Sequence, residues 1–245
     1  MPISLEVCVD SVDGLEAAIA GGADRIELCS ALDLGGLTPA PGLIAAAARA
    51  PVPVYAMIRP HARSFAWSPA DAAAMLAEID AVRAAGLAGV VLGAALPDDH
   101  LDVALLRTLC ERARGLGTTL HRVFDLVPDP ARALEEAVAL QFERILTSGG
   151  AARAADGLAM LADLARRAAG RIAIMPGSGV TADNVAHIVE ATGAAEVHAS
   201  CRASYHEALV QRDSKGVELG FFPARPACTS QRLVQAFKQT LASIA

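Results

Sequence analysis

Along the chain, short runs of alternating or continuous apolar residues, typical of strands, are separated by longer alanine-rich stretches with helical spacing. The pattern predicts strands at 5–9, 25–28, 54–58, 89–92, 118–123, 144–147, 172–175 and 195–198. It predicts helices at 12–20, 42–49, 71–85, 101–114, 131–140, 155–169, 182–191 and 231–243. Local signals support the boundaries. Ser68-Pro69-Ala70-Asp71 and Asp129-Pro130 each offer an N-cap followed by proline, and Thr181 precedes Asp183. Gly21, Gly86, Gly115 and Gly193 stand where helices should end. Strict strand–helix alternation implies a parallel sheet, and eight such units favour one α/β domain over residues 1–245, closed as a (β/α)8 TIM-type barrel. The segment 201–229 exceeds an ordinary strand-to-helix loop and is expected to be a lid or binding loop with a short helix at 204–211.

Side chains alternate faces along a strand, so parity separates the barrel's lumen from its helix-facing surface. Leu5, Val7 and Val9 belong outside, which leaves Glu6, Cys8 and Asp10 inside; Ile26 and Leu28 likewise leave Arg25, Glu27 and Cys29. The same counting turns Arg59, Thr119, His121, Thr147, Glu196, His198 and Ser200 inward. Residues late in each strand lie at the carboxyl-end mouth, where barrel sites are built. That set contains Cys8, Asp10, Glu27, Cys29, Arg59, His121, Thr147, His198 and Ser200. A glutamate, an arginine and two histidines at one mouth could hold an anion or exchange protons; paired inside the barrel, they would form only a structural network.

Two glycine-rich turns follow the sixth and seventh strands, Thr147-Ser148-Gly149-Gly150 and Pro176-Gly177-Ser178-Gly179-Val180. Small residues there let backbone N–H groups approach a phosphate or carboxylate, so Ser148, Gly149, Gly177, Ser178 and Gly179 are the candidate anion site. The bland alternative is a pair of tight turns that need glycine for conformation alone. Gly177, Gly179 and Ala182 also fit a dinucleotide fingerprint, but the penultimate unit leaves no room for the second half of such a domain.

Composition narrows the partners. Apolar residues make up 53% and charged residues 20% of the chain, enough for a buried core. No stretch approaches the roughly 20 apolar residues of a spanning helix, and the first ten residues lack a signal peptide's basic start. The net charge of −6 with no basic stripe argues against nucleic acid and anionic membrane. Five widely spaced cysteines without CxxC suggest neither a disulfide scaffold nor a zinc ribbon, and fit a reducing, cytoplasmic compartment. GxSxG and HExxH are missing, and His198-Ala199-Ser200-Cys201 is too short a cluster to weigh as zinc-binding.

Several motifs together resemble the CutC family. They are Leu5-Glu6-Val7-Cys8-Val9-Asp10-Ser11, Gly22-Ala23-Asp24-Arg25-Ile26-Glu27-Leu28-Cys29-Ser30 and Gly35-Gly36-Leu37-Thr38-Pro39. Met57-Ile58-Arg59-Pro60, His121-Arg122-Val123-Phe124-Asp125, Arg144-Ile145-Leu146-Thr147-Ser148-Gly149 and Glu196-Val197-His198-Ala199-Ser200 continue the match in order. The resemblance implies a TIM-type barrel, a cytoplasmic location and a role in copper handling, with no established reaction. One departure falls after the third strand: the family tends to carry Arg-Pro-Arg-Gly-Gly-Asp-Phe where this chain has Arg59-Pro60-His61-Ala62-Arg63-Ser64-Phe65.

Two functions follow as expectations. The first is a copper homeostasis protein that binds Cu(I) through Cys8 and Cys29, inward thiols on strands roughly 4.8 Å apart, since soft thiolates select Cu(I). The second is an enzyme of lyase or isomerase type acting on a small, phosphorylated or carboxylated anion. There Glu27 or His121 would be the general acid/base, Arg59 the anion clamp, and His198 a further member of the catalytic set. The expected partners are a copper ion or a small anion, with a homo-oligomer left open.

Overall fold

The computed structural model describes residues 2–204, 214–221 and 226–244. Eight parallel strands form one sheet: β1 (Ser4–Val9), β2 (Arg25–Leu28), β3 (Val54–Met57), β4 (Gly89–Leu92), β5 (Gly117–Leu120), β6 (Arg144–Thr147), β7 (Ala173–Pro176) and β8 (Glu196–Ala199). Their spatial order, β8-β1-β2-β3-β4-β5-β6-β7, wraps the sheet into a TIM-type barrel whose β7 and β8 edges meet without a hydrogen-bonded ladder. A proline contributes to that seam. Ala173 and Gly177 donate to Glu143 and Thr147 of the β6 side, so Ile174 and Pro176 are the positions turned toward β8, and Pro176 has no N–H to offer.

The helices are α1 (Val12–Gly21), α2 (Pro41–Ala47), α3 (Pro69–Ala84), α4 (Val103–Arg112), α5 (Pro130–Ala139), α6 (Leu158–Ala168), α7 (Val185–Thr192), α8 (Ser214–Glu218) and α9 (Gln231–Ile244). The caps behave as their residue types require. Ser68 and Asp71 form a capping box at α3, Asp129 caps α5 ahead of Pro130, and Gly193 closes α7 in the left-handed conformation. α7 begins later than its pattern suggested, because the Asn184 side chain accepts from the Thr181 amide and holds that stretch as a turn. α9 takes the eighth outer place, packing on α1 and α7 through Val234, Phe237 and Leu241.

Between strands and helices lies the main core, which includes Leu5, Val7, Val9, Ile26 and Leu28, as parity requires. Thr147 is a correction. In β6 the lumen positions are Arg144 and Leu146, and Thr147 shares the outer face with Ile145, where its hydroxyl donates to Asp125. Of the segment 201–229, the described parts are an antiparallel pair, β9 (Arg202–Ser204) with β10 (Ala227–Thr229), and α8. The helix expected at 204–211 lies outside the described residues apart from Ser204, which ends β9. No helix among the described residues is long and apolar enough to cross a membrane.

Candidate functional site: two layers inside the barrel

Register decides which inward residues meet. Glu6 of β1 is opposite Arg25 of β2 and His198 of β8, while Cys8, two residues on, is opposite Glu27. The lumen therefore divides into a lower and an upper layer.

In the lower layer every charge has a partner. Arg25 pairs with Glu6 and, at 2.5 Å, with Glu196. Arg144 bonds Glu196 at 3.0 Å, Glu143 at 3.1 Å and the Thr119 hydroxyl at 3.1 Å. Tyr55 lies across this network, with Arg25 and Arg144 over its ring and its hydroxyl donating to Glu143 at 2.8 Å. The ring fits because β4 and β5 carry Gly89 and Gly117 beside it; a Cβ at Gly89 would stand 2.3 Å from the ring.

The upper layer is different. Cys8, Glu27 and His198 bring a thiol sulfur, a carboxylate oxygen and an imidazole nitrogen within 4.8 Å of one another, all buried. Glu6 reaches up from below to bond His198 Nδ1 at 2.8 Å, which leaves Nε2 facing Glu27 at 3.8 Å. Burial alone would strip the proton from His198, but the Cys8 sulfur and the Glu27 and Glu6 carboxylates outweigh it and hold the imidazole well above its ordinary pKa. Burial likewise opposes ionisation of Glu6, yet the His198 hydrogen bond and the Arg25 charge bring that carboxyl down to about 2. Glu27 goes the other way: burial raises it, the His198 charge only partly offsets this, and its Oε1 has no hydrogen-bond partner.

Cys29 does not join this group. It is fully buried among Tyr55, Met57 and Val91, and its thiol lies 3.6 Å from Glu27 Oε2 as a donor. Burial and the neighbouring Glu27 charge push the thiol well above its ordinary pKa, which disfavours the thiolate a metal needs. Three donors converge at Cys8, Glu27 and His198, with Cys29 set beside Glu27, because the parallel register sets Glu27, not Cys29, across from Cys8.

Arg59 and His121 complete the upper layer. Arg59 is 7% exposed, and its Nη1 is gripped by the carbonyls of Leu34 and Gly36, both at 2.9 Å. Its Nε has no partner, and no carboxylate among the described residues pairs with it. His121 stands just after β5, where the chain leaves the strand for a 3-10 turn (Arg122–Leu126) earlier than the apolar pattern suggested. Its Nδ1 accepts from the Val123 amide at 3.1 Å, so in the neutral ring the proton sits on Nε2. That N–H is buried and unpartnered. Burial and the nearby Arg59 charge push His121 down to about 3, which favours the neutral ring with Nε2–H as a hydrogen-bond donor. Gly93 makes room for the ring; a Cβ there would lie 2.4 Å from His121 Cε1.

Phe65 was not among the sequence candidates, yet it joins these two groups. Arg59 lies 4.9 Å over its ring and the His121 ring is 4.8 Å away. The residues that depart from the family motif sit outside this contact: Ala62, Arg63 and Ser64 are exposed, and His61 packs on Trp67 and faces Asp71 at 3.4 Å. The motif's two ends, Arg59 and Phe65, still meet.

Cys8, Glu27, Arg59, His121 and His198 all line one cavity of about 630 Å³ at the carboxyl end of the barrel, with Ser178, Gly179, Ser200 and Cys201 on its wall. The first glycine-rich turn is a correction. Asp125 accepts from the amides of Ser148 and Gly150, and the Thr147 hydroxyl from that of Gly149, so donors expected to be free at Ser148 and Gly149 are already used. In the second turn the Gly177 amide bonds Thr147 O and the Ser178 hydroxyl donates to Ala152 O at 2.8 Å, whereas the amides of Ser178 and Gly179 donate to no described residue, and both residues line the cavity. Asp125, another residue the sequence reading passed over, carried one signal: it ends the His121-to-Asp125 motif.

Fold and cavity together define a parallel (β/α)8 barrel with a candidate ion- or ligand-binding mouth at the carboxyl ends of its strands. The CutC family model matches residues 3–203. The chain is 55% identical to a family protein CutC of Rhizobium meliloti over 98% of its own length and 96% of the relative's. It is 54% identical to one of Caulobacter vibrioides over 95% and 94%. The crystal structure of a CutC of Streptococcus agalactiae, for which a copper homeostasis role is proposed, superposes with a TM-score of 0.78 at 30% identity, covering 81% of this chain and 98% of that one. The chain belongs to the CutC family.

Proposed function

We propose that this protein handles copper in the cytoplasm, taking a Cu(I) ion as cargo at Cys8, His198 and Glu27. The observation that carries this reading is the convergence of those three donors within 4.8 Å, from three different strands. A thiolate and an imidazole are the soft and borderline ligands that favour copper, and the carboxylate completes the group. Glu6 behind His198 supplies the carboxylate–histidine support that orients a metal-binding imidazole. A metal needs a thiolate and a neutral imidazole, so protons compete with it for these ligands and affinity falls as pH falls.

The test is a titration of reduced protein with Cu(I) against a competing chelator. Cys8→Ser and His198→Gln should each lose affinity by about 100-fold or more, at or beyond the upper end of what loss of a supporting residue costs. Cys29→Ser should stay near the parent. Copper held as tightly by Cys8→Ser as by the parent would end this reading.

One observation favours a second reading. Glu27 Oε1, Arg59 Nε and His121 Nε2 are buried polar atoms without partners, and their residues line a cavity larger than an ion requires. That composition suits an enzyme of lyase or isomerase type on a small anionic substrate. Glu27 would move the proton and neutral His121 would donate to a developing oxyanion. The free amides of Ser178 and Gly179 would meet the substrate's other oxygens.

A further inference from the structure

A buried guanidinium without a counter-ion is costly, and a neutral buried N–H without an acceptor costs less but in the same direction. Here both occur against one aromatic ring. Arg59 and His121 each lie within 5 Å of Phe65, and both face the cavity. Neither is free to turn away. Two carbonyls grip Arg59 Nη1, and the Val123 amide holds His121 Nδ1. The unpaired donors are therefore presented in a fixed arrangement around one ring, on the wall of one cavity.

We propose that Arg59 and His121 form the recognition pair for a small organic acid that carries a neutral oxygen, carbonyl or hydroxyl, next to its anionic group. The inference rests on the second functional reading and gives it a substrate class. Arg59 takes the anionic head because it brings a full positive charge that no described carboxylate balances. The Ser178–Gly179 turn is the weaker place for that head, because the same loop carries Asp183 to the cavity wall. His121 Nε2–H takes the neutral oxygen. Being neutral, the imidazole does not compete for the head, and a site with a buried donor discriminates strongly against a ligand that lacks the matching acceptor. Phe65 sets the spacing between the two contacts.

The experiment is calorimetric titration of the full chain, treated with chelator so that copper plays no part. The probes are pyruvate, dihydroxyacetone phosphate and propionate. The first two carry a carbonyl with a carboxylate or a phosphate head, and the better binder identifies the head. Propionate has the carboxylate alone. Wild type should bind the better carbonyl probe, and propionate about tenfold or more weakly, the effect of one buried hydrogen bond. Arg59→Met should weaken that probe by about 30-fold or more, the lower end of the cost of removing one partner of a buried charge pair. The wild-type comparison among probes reads the His121 contact without a substitution that could disturb the Val123 turn. If the carbonyl probes bind but Arg59→Met binds them equally well, or propionate binds as tightly as pyruvate, the recognition pair is wrong while the enzyme reading survives. If no probe binds wild type, both fall.

Discussion

The two layers of the barrel's lumen hold the same kinds of side chain at similar burial, and they differ in pairing. Below, Glu6, Arg25, Arg144 and Glu196 satisfy one another around Tyr55. Above, Glu27, Arg59 and His121 each keep a buried polar atom with no partner. Inward charge is therefore a poor marker of function in this fold, because the lower layer has as much of it and uses it as internal scaffolding. What marks the upper layer is bonding capacity that its own side chains leave unused.

The sharpest way to break this comparison is to remove one charge from each layer. Arg25→Met removes the cation that Glu6 and Glu196 share, leaving them His198 and Arg144, and should cost about 3–5 kcal/mol in urea unfolding, whereas Glu27→Met removes only a 3.8 Å contact with His198, which Glu6 still holds, and should cost clearly less. Equal costs would mean that the layers do not differ in kind.

A smaller effect separates the two buried glutamates by the sign of their pH dependence. The folded-state pKa of Glu6, about 2, lies below its unfolded value near 4.5, so its contribution is complete above pH 4.5 and is lost as pH falls toward 2. The integrated loss is on the order of 3 kcal/mol. The pKa of Glu27 is raised, so its contribution is complete below pH 4.5 and is lost as pH rises through the folded value. Stability measured against pH should thus lose its acid limb in Glu6→Gln and gain at neutral pH in Glu27→Gln; the same sign of change in both would refute the contrast.

The smallest expected effect lies in the lower layer. Tyr55→Phe removes one hydrogen bond to Glu143 and should cost about 1 kcal/mol, leaving ligand and copper titrations unchanged. A change in either titration would show that the layers communicate.

Much of this was readable in advance, and the failures have physical causes. Parity worked in β1 and β2, where apolar and polar residues alternate, and it put Cys8, Glu27, Arg59, His121 and His198 at the mouth, where all five line the cavity. It failed in β6, where Ile145 and Leu146 are both apolar although they face opposite ways, so alternation carried no signal for Thr147. Phe65 was missed because it comes from a loop, and no period in the sequence reports where a loop side chain will land. The Ser148–Gly149 turn looked like an anion cradle because glycine is needed equally for a turn that Asp125 closes from a different segment.

By itself the sequence determined the eight strand–helix units, the helix caps and the inventory of lumen residues, since these depend on local periodicity and on residue type. Only the tertiary structure decided which of those residues are partners. A parallel ladder aligns residues far apart in the chain, and its register gave Glu6 two partners while setting Glu27 beside Cys8 and His198. A shift of that register would keep every local preference and change every pair, which is why pairing, and with it the site, belongs to the fold.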